Sequence, residues 1–230
     1  LDSEAVSEFM SAPVALKTES FYPVKNYGSA MTPFYTNLAI WVGGIVLIAI
    51  FKLESDKDEV VPKFTAVQSY FGRWMLYVVM GLIQSLIICV GDLLLLGVQC
   101  KSPAAFIFAG LFTSFVYVNI IYTFTVSFGD VGKAICVVLL VMQVAGSGGT
   151  FPIEVAPEIF QKIYPFLPFT HSMTAMRECV AGFYQYTYWA ELGIMCLFLL
   201  ASLFLGLVLR KPVIRLNELF IEKLEDTKLM

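Results

Sequence analysis

The sequence predicts an all-α fold, a polytopic helical membrane protein. Two observations carry that prediction: five long apolar stretches, at residues 33–51, 74–98, 103–129, 134–151 and 192–209, and a single charged side chain, Asp92, within all of them. Roughly 20 apolar residues at ~1.5 Å rise each cross a hydrocarbon core of about 30 Å. Backbone amides find no water there, so each stretch must be a helix that satisfies its own hydrogen bonds. Composition agrees, with 58% hydrophobic residues, 14% charged and a mean hydropathy of +0.78, where globular chains carry about 25% charged residues. A net charge of −3 offers nothing to nucleic acid.

Residues 1–32 mix polar and apolar positions around Pro13, Pro23 and Gly28 and read as the end of an extracellular region. Phe21, Tyr22, Tyr27, Phe34 and Tyr35 then give an aromatic belt at the entry to the first span. Residues 52–73 form the longest cytoplasmic loop. Its first half is charged; Pro62 suits the first position of a helix. Phe64, Val67, Phe71 and Met75 follow at spacings of three and four, an amphipathic stripe leading into span two. Such a stripe either lies in the interface or serves as a coupling element for a cytoplasmic partner.

Spans two to four carry polar stripes. Gln84, Ser85 and Asp92 share a face of span two; Asn119, Thr123 and Ser127 recur in span three; Gln143, Ser147 and Thr150 follow in span four. Side chains of this kind either hydrogen-bond across helix interfaces or line a solute path, and Gln84, Asp92, Asn119 and Gln143 are the candidates for both roles. Asp92 stands out, because an ionisable group within a span costs about 2.5–3.5 kcal/mol on insertion scales. Its place near the outer headgroups softens that cost.

Gly146-Ser-Gly-Gly-Thr-Phe-Pro152 cannot continue a helix. Residues 153–184 are expected to hold two short amphipathic helices on the outer surface, one over 154–164 and one opening at Pro168. In the second, Met173, Met176, Val180 and Phe183 make the apolar face, and Arg177 and Glu178 read as an interfacial charge pair. Tyr184, Tyr186, Tyr188 and Trp189 mark the re-entry belt. The tail 210–230 carries a weak amphipathic pattern at Val213, Leu216, Phe220 and Leu224.

Lysine and arginine set the orientation. With the C-terminus inside, Lys52, Lys57, Lys63, Arg73, Lys133, Arg210, Lys211, Arg215, Lys223 and Lys228 are cytoplasmic. Lys17, Lys25, Lys101, Lys162 and Arg177 are outside, ten against five. The chain begins at Leu1 without a signal-peptide pattern, so an outside N-terminus implies a longer protein with a preceding span, six in all.

Catalytic chemistry is not expected. One histidine cannot build a histidine metal cluster. His171 and Glu178 are seven apart, but no serine or cysteine nucleophile stands in a recognisable context. No glycine-rich loop with lysine would bind nucleotide, and no cofactor is implied. Cys89, Cys136 and Cys196 read as small apolar fillers within spans. Cys100 and Cys179 fall near one face, and spacing alone does not decide whether they pair.

Pro23-Val-Lys-Asn-Tyr-Gly-Ser-Ala-Met-Thr-Pro-Phe-Tyr35 with Leu38-Ala-Ile-Trp-Val-Gly43 resembles the C-terminal membrane region of the YhgE/Pip (phage infection protein) family. So do Gly146–Pro152 and Pro165-Phe-Leu-Pro-Phe-Thr-His-Ser-Met-Thr-Ala-Met-Arg-Glu178. That family is similar to the membrane domains of type-2 ABC exporters. The resemblance implies a permease-like transmembrane domain over residues 33–230, with two short external helices before the last span. It also implies a bacterial cell-membrane location, a homo- or heterodimer, and a separate cytoplasmic ATPase driving export of a hydrophobic or amphipathic substrate. The alternative it implies is an anchor or receptor for a large extracellular domain, in phage adsorption or type VII secretion.

Overall fold

The computed structural model describes residues 22–51 and 66–209, together with Met10 and Glu19. All regular structure among them is helical. The elements are α1 (Tyr27–Ile50), α2 (Ala66–Leu94), α3 (Pro103–Phe128), α4 (Asp130–Gly146), α5 (Glu158–Ile163), α6 (Pro168–Ala181) and α7 (Gln185–Phe204). Short 3₁₀ turns at Ile153–Val155 and Tyr164–Phe166 flank α5, and a π-helical turn, Leu205–Leu209, extends α7.

Four helices are long and apolar enough to cross a membrane: Tyr27–Ile50, Tyr70–Leu94, Pro103–Phe128 and Gln185–Val208. The expected fifth is shorter than predicted. α4 has 17 residues, about 26 Å at ~1.5 Å per residue. It ends where the glycine run begins, before residues 147–151 can extend it.

α1 starts earlier than the apolar pattern suggests. Asn26 caps it, its side chain accepting from the Ser29 amide at 2.8 Å. Pro33 lies inside the helix; around it Thr32 Oγ1 donates to the Gly28 carbonyl at 2.9 Å and Asn37 Nδ2 to the Pro33 carbonyl at 2.7 Å. α2 is continuous from the loop into the membrane, so the predicted stripe and span two are one helix. Phe71 and Met75 face outward while Tyr70 and Tyr77 are buried. Phe64 lies outside the described residues, as does the Val67 side chain. So do the rest of the loop, the tail 210–230 and most of 1–21.

α3 is the central helix. It packs on α1, α2, α4, α6 and α7, and Phe106, Val116, Tyr117, Ile121 and Tyr122 are buried along its length. Chain direction alternates around it. At one end Tyr77 donates to the Phe51 carbonyl at 2.9 Å, joining the end of α1 to α2. At the other, Gln99 clamps the lead into α1: its amide group donates to the Pro23 carbonyl at 2.8 Å and accepts from the Lys25 N–H at 2.9 Å. The outward faces are apolar: Val138 and Val141 on α4 and Leu197, Leu200 and Phe204 on α7 are all more than half exposed. A soluble surface does not carry apolar area on this scale; a lipid-facing one does.

The segment after α4 departs from its prediction in two ways. The helix expected over 154–164 is broken at Ala156-Pro157, leaving a 3₁₀ turn and six-residue α5, because proline removes the amide a continuing helix needs. α6 does open at Pro168, but it is no surface helix: Phe169, Ser172, Met173, Ala175, Met176 and Cys179 are completely covered by α1, α3 and α7. Two aromatic residues assigned to interfacial belts, Phe34 and Tyr188, are core residues. Phe34 stacks edge-on against Phe169, and Tyr188 donates to the Ala105 carbonyl at 2.8 Å. Arg177 and Glu178 do not pair: Arg177 donates to the carbonyls of Gly148 and Gly149 at 3.0 and 3.2 Å, and Glu178 accepts from the Tyr184 amide.

The α3–α4 hairpin turns on Gly129, at φ 61°, a conformation L side chains rarely adopt. Three residues on, a Cβ at Gly132 would stand 2.1 Å from the Phe124 carbonyl oxygen, an atom of rigid helix backbone. Gly132→Ala is therefore expected to destabilise the fold by about 1–3 kcal/mol, as overpacking does, lowering the thermal midpoint of the detergent-solubilised protein. Gly193→Ala, where a Cβ meets nothing within 4 Å, should leave that midpoint in place.

Candidate functional site

Two polar nodes hold the helices together. The first joins α1, α3 and α6. Asn37 Oδ1 lies 3.0 Å from Tyr117 Oη and 2.6 Å from Ser172 Oγ, and the two hydroxyls lie within hydrogen-bond distance of each other, so two protons serve three contacts. Asn37 Nδ2 reaches Met176 Sδ at 3.3 Å. All three polar side chains are fully buried. The second joins α2, α3 and α7: Trp74 Nε1 donates to Asn119 Oδ1 at 2.9 Å, Asn119 Nδ2 donates to Ser202 Oγ, and Ser202 donates to the Leu199 carbonyl at 2.9 Å. The first node lay beyond the sequence reading; its signals were Asn37 four residues after Pro33 and Ser172 four after Pro168.

The other candidate positions are dispersed. Asp92 accepts from Thr36 Oγ1 at 2.5 Å, tying the C-terminal end of α2 to α1. The Gln84 amide lies over Gly43, where a Cβ would meet its Nε2 at 1.8 Å. Gln84, Asp92 and Asn119 thus each touch a neighbouring helix.

Gln143 is different. It is fully buried, and its Oε1 accepts from the Phe169 amide at 3.2 Å, which fixes the amide orientation. Its Nε2 has no hydrogen-bond partner. Gln143 lines a cleft of about 280 Å³ between α4 and α7, floored by Trp41 and Phe124 and bounded by Pro168 and Phe198. Its walls are otherwise apolar, with Ser202 the one further polar side chain. Trp41 Nε1 donates to the Cys136 carbonyl at 3.2 Å, which holds the indole across the floor.

His171 joins α6 to α7. Its Nδ1 lies 2.6 Å from Glu191 Oε2 and its Nε2 lies 2.9 Å from the Pro165 carbonyl. Both ring nitrogens face acceptors, so the doubly protonated imidazolium fits the site. Burial pulls its pKa down, but the Glu191 and Pro165 bonds outweigh burial and the net direction is up. The partner is Glu191, not Glu178. Cys100 and Cys179 are neighbouring free thiols, Cys100 Sγ donating to the Cys179 carbonyl at 3.2 Å. Among the described residues no group of histidine, cysteine and carboxylate side chains is placed to hold a metal ion.

Residues 3–208 match the family described as ABC-2 family transporter protein. The chain belongs to that family. It is also 32% identical over 184 residues, 80% of its length, to a Bacillus subtilis (strain 168) protein called "Uncharacterized protein YhgE". The chain spans 23% of that relative's length. No solved structure matches. The YhgE resemblance read from Pro23–Gly43 and Pro165–Glu178 is thereby established, and the chain is a multi-pass membrane protein of the ABC-2 transporter type.

Two expectations follow. Interhelical hydrogen bonds in membranes contribute about 0.6 kcal/mol each on average, and Asn37 makes several at one point, so Asn37→Ala should cost about 2 kcal/mol in reversible detergent unfolding. The His171 contribution has a defined pH sense. A raised pKa means stabilisation present in full below the ordinary histidine value and lost as pH rises through the folded value. The thermal midpoint should therefore fall more between pH 6 and pH 9 in the native chain than in Glu191→Gln.

Proposed function

We propose that this chain is the membrane-spanning part of an ATP-driven exporter for a hydrophobic or amphipathic substrate, working as a dimer with a separate cytoplasmic ATPase. The observation that carries this reading is the family match over nearly the whole chain, on a helical bundle whose sequence holds no nucleotide-binding loop. The chain itself is not an enzyme; it supplies the path.

In this reading all five apolar stretches cross the bilayer of a bacterial cell membrane. α4 crosses despite its length because the inward-set α6 completes its outer portion. The N-terminal end lies outside and the C-terminal end in the cytoplasm, supported by the ten-to-five lysine and arginine bias. α5 and α6 belong to the external side. The cytoplasmic end of α2, with Phe71 exposed on it, and the preceding residues including Phe64 and Val67 form the contact for the ATPase. The greater length of the relative favours a second reading at the level of the whole protein: with the chain at 23% of YhgE's length, these helices would also anchor a large extracellular domain, a receptor for phage or secretion partners.

Purification from native membranes tests the assignment. A nucleotide-binding subunit should accompany the protein, and Phe64→Asp combined with Phe71→Asp should reduce its recovery about tenfold while leaving the helical bundle folded. Absence of any such subunit, together with full retention of phenotype after exchange of these helices for unrelated ones, would instead establish the anchor reading.

A further inference from the structure

We propose that Cys100 and Cys179 are a redox pair: exchange with a disulfide from outside the protein joins their sulfurs, and the bond fastens the connection between α2 and α3 to the last turn of α6. The proposal goes beyond the exporter reading, and the pairing rests on contact geometry alone.

Backbone contacts bring the two residues together. The Lys101 N–H donates to the Cys179 carbonyl at 2.9 Å, and the Ser102 N–H donates to the same oxygen at 3.3 Å. The first bond joins the peptide groups that follow Cys100 and Cys179, and standard backbone dimensions then put the two Cα atoms about 5–6 Å apart. A disulfide spans roughly 4.4–6.8 Å between Cα atoms. Cys100 Sγ already stands at this contact, 3.2 Å from the Cys179 carbonyl oxygen. Its charge is among the influences that hold the Cys179 thiol protonated.

Neither thiol is needed as a donor. A carbonyl oxygen has two lone pairs, and the Lys101 and Ser102 amides take both, so the Cys100 S–H is surplus. The Cys179 S–H turns to the Ala175 carbonyl at 3.4 Å, an oxygen within α6 that the helix itself pairs. Loss of both thiol protons therefore leaves no buried acceptor unserved.

Exposure sets the order of reaction. Cys100 is half-buried and Cys179 is completely covered. Burial pushes the Cys179 thiol up to about 12, and a thiol must ionise before it attacks. The Cys100 thiolate therefore attacks first, bonding to one sulfur of the external disulfide and expelling the other as a thiolate. Cys179 then loses its proton and attacks Cys100 Sγ, which expels the second reagent thiolate. Two protein thiols are oxidised to one disulfide, the reagent disulfide is reduced to two thiols, and the two protons pass to the departing thiolates.

Oxidised glutathione, which does not cross membranes, is the probe. The full chain in detergent is treated with it, alkylated, digested and analysed by mass spectrometry. The expected product is a peptide pair linked through Cys100 and Cys179, with no lasting glutathione on either. Its thermal midpoint should rise by about 10 °C and return with dithiothreitol. Cys179→Ala should instead retain glutathione on Cys100. A native chain that keeps glutathione on Cys100, or that reacts at neither residue, overturns the pairing and needs no variant to do so. A linked chain with an unmoved midpoint overturns the fastening. Linkage in intact cells supports the pairing together with the outward orientation of this connection proposed above; linkage in inside-out vesicles alone supports the pairing and overturns that orientation.

Discussion

Asn37 is the contact on which the arrangement of this bundle turns. In lipid the hydrophobic effect does not hold one helix against another, because the tails outside are as apolar as the side chains inside. Cohesion must come from close packing and from polar groups that have no alternative partner. Asn37 satisfies both requirements at one point. Its carbonyl oxygen collects the hydroxyls of Tyr117 and Ser172, from two other helices, and its amide nitrogen spends itself on the Pro33 carbonyl and the Met176 sulfur. α6 is thereby fixed in the interior of the bundle.

That placement explains why α4 stops short. α6 fills space beside α1 and α3 that a full-length α4 would occupy, with the Phe169 ring stacked on Tyr117 at 6.4 Å. The glycine turn after α4 lets the chain leave the bundle there. Arg177, reaching back from α6 to the Gly148 and Gly149 carbonyls, satisfies backbone groups that an uninterrupted helix would have paired internally. His171 then ties the same helix to α7 through Glu191. A single inward helix thus answers the backbone demands created by the early end of its neighbour.

Much of this was legible in the sequence, and the failures have a common cause. Four of the five apolar stretches match the long spanning helices, since hydropathy over some 20 residues is a strong signal. Proline at Pro168 marked the start of α6 correctly. Periodicity failed where both faces of an element are covered. α6 reads as amphipathic, with His171 and Ser172 among its polar residues, yet both are buried because each meets a partner from a distant part of the chain. Phe34 and Tyr188 were assigned to belts by their position near span ends, whereas their rings turn inward. Pro157 divides the 154–164 segment because it lacks the amide that a continuing helix needs. Among the candidate site residues, Gln143 was identified as polar and within a span, but its half-satisfied state depends on Phe169, 26 residues away, and no local pattern encodes that.

The polar side chains inside this bundle divide by whether their bonding capacity is met. Asn37 and Asn119 use both ends of their amides, and Asp92 takes a hydroxyl from Thr36. Residues of that kind lock helices at a given register. Gln143 uses one end only, and it does so beside the one wall where α4 and α7 stand apart. The attachments of these two helices run to other elements: α4 to α3 at the Gly129 hairpin, to α1 through Trp41 and the Cys136 carbonyl and to α6 through Gln143 and the Phe169 amide, and α7 to α3 through Asn119–Ser202 and to α6 through His171–Glu191. A π-helical turn, Leu205–Leu209, follows on α7 and contributes Leu205 to the lining of the cleft, an irregularity frequent at functional positions in helices. Cohesion is therefore concentrated around α3 and sparse between α4 and α7.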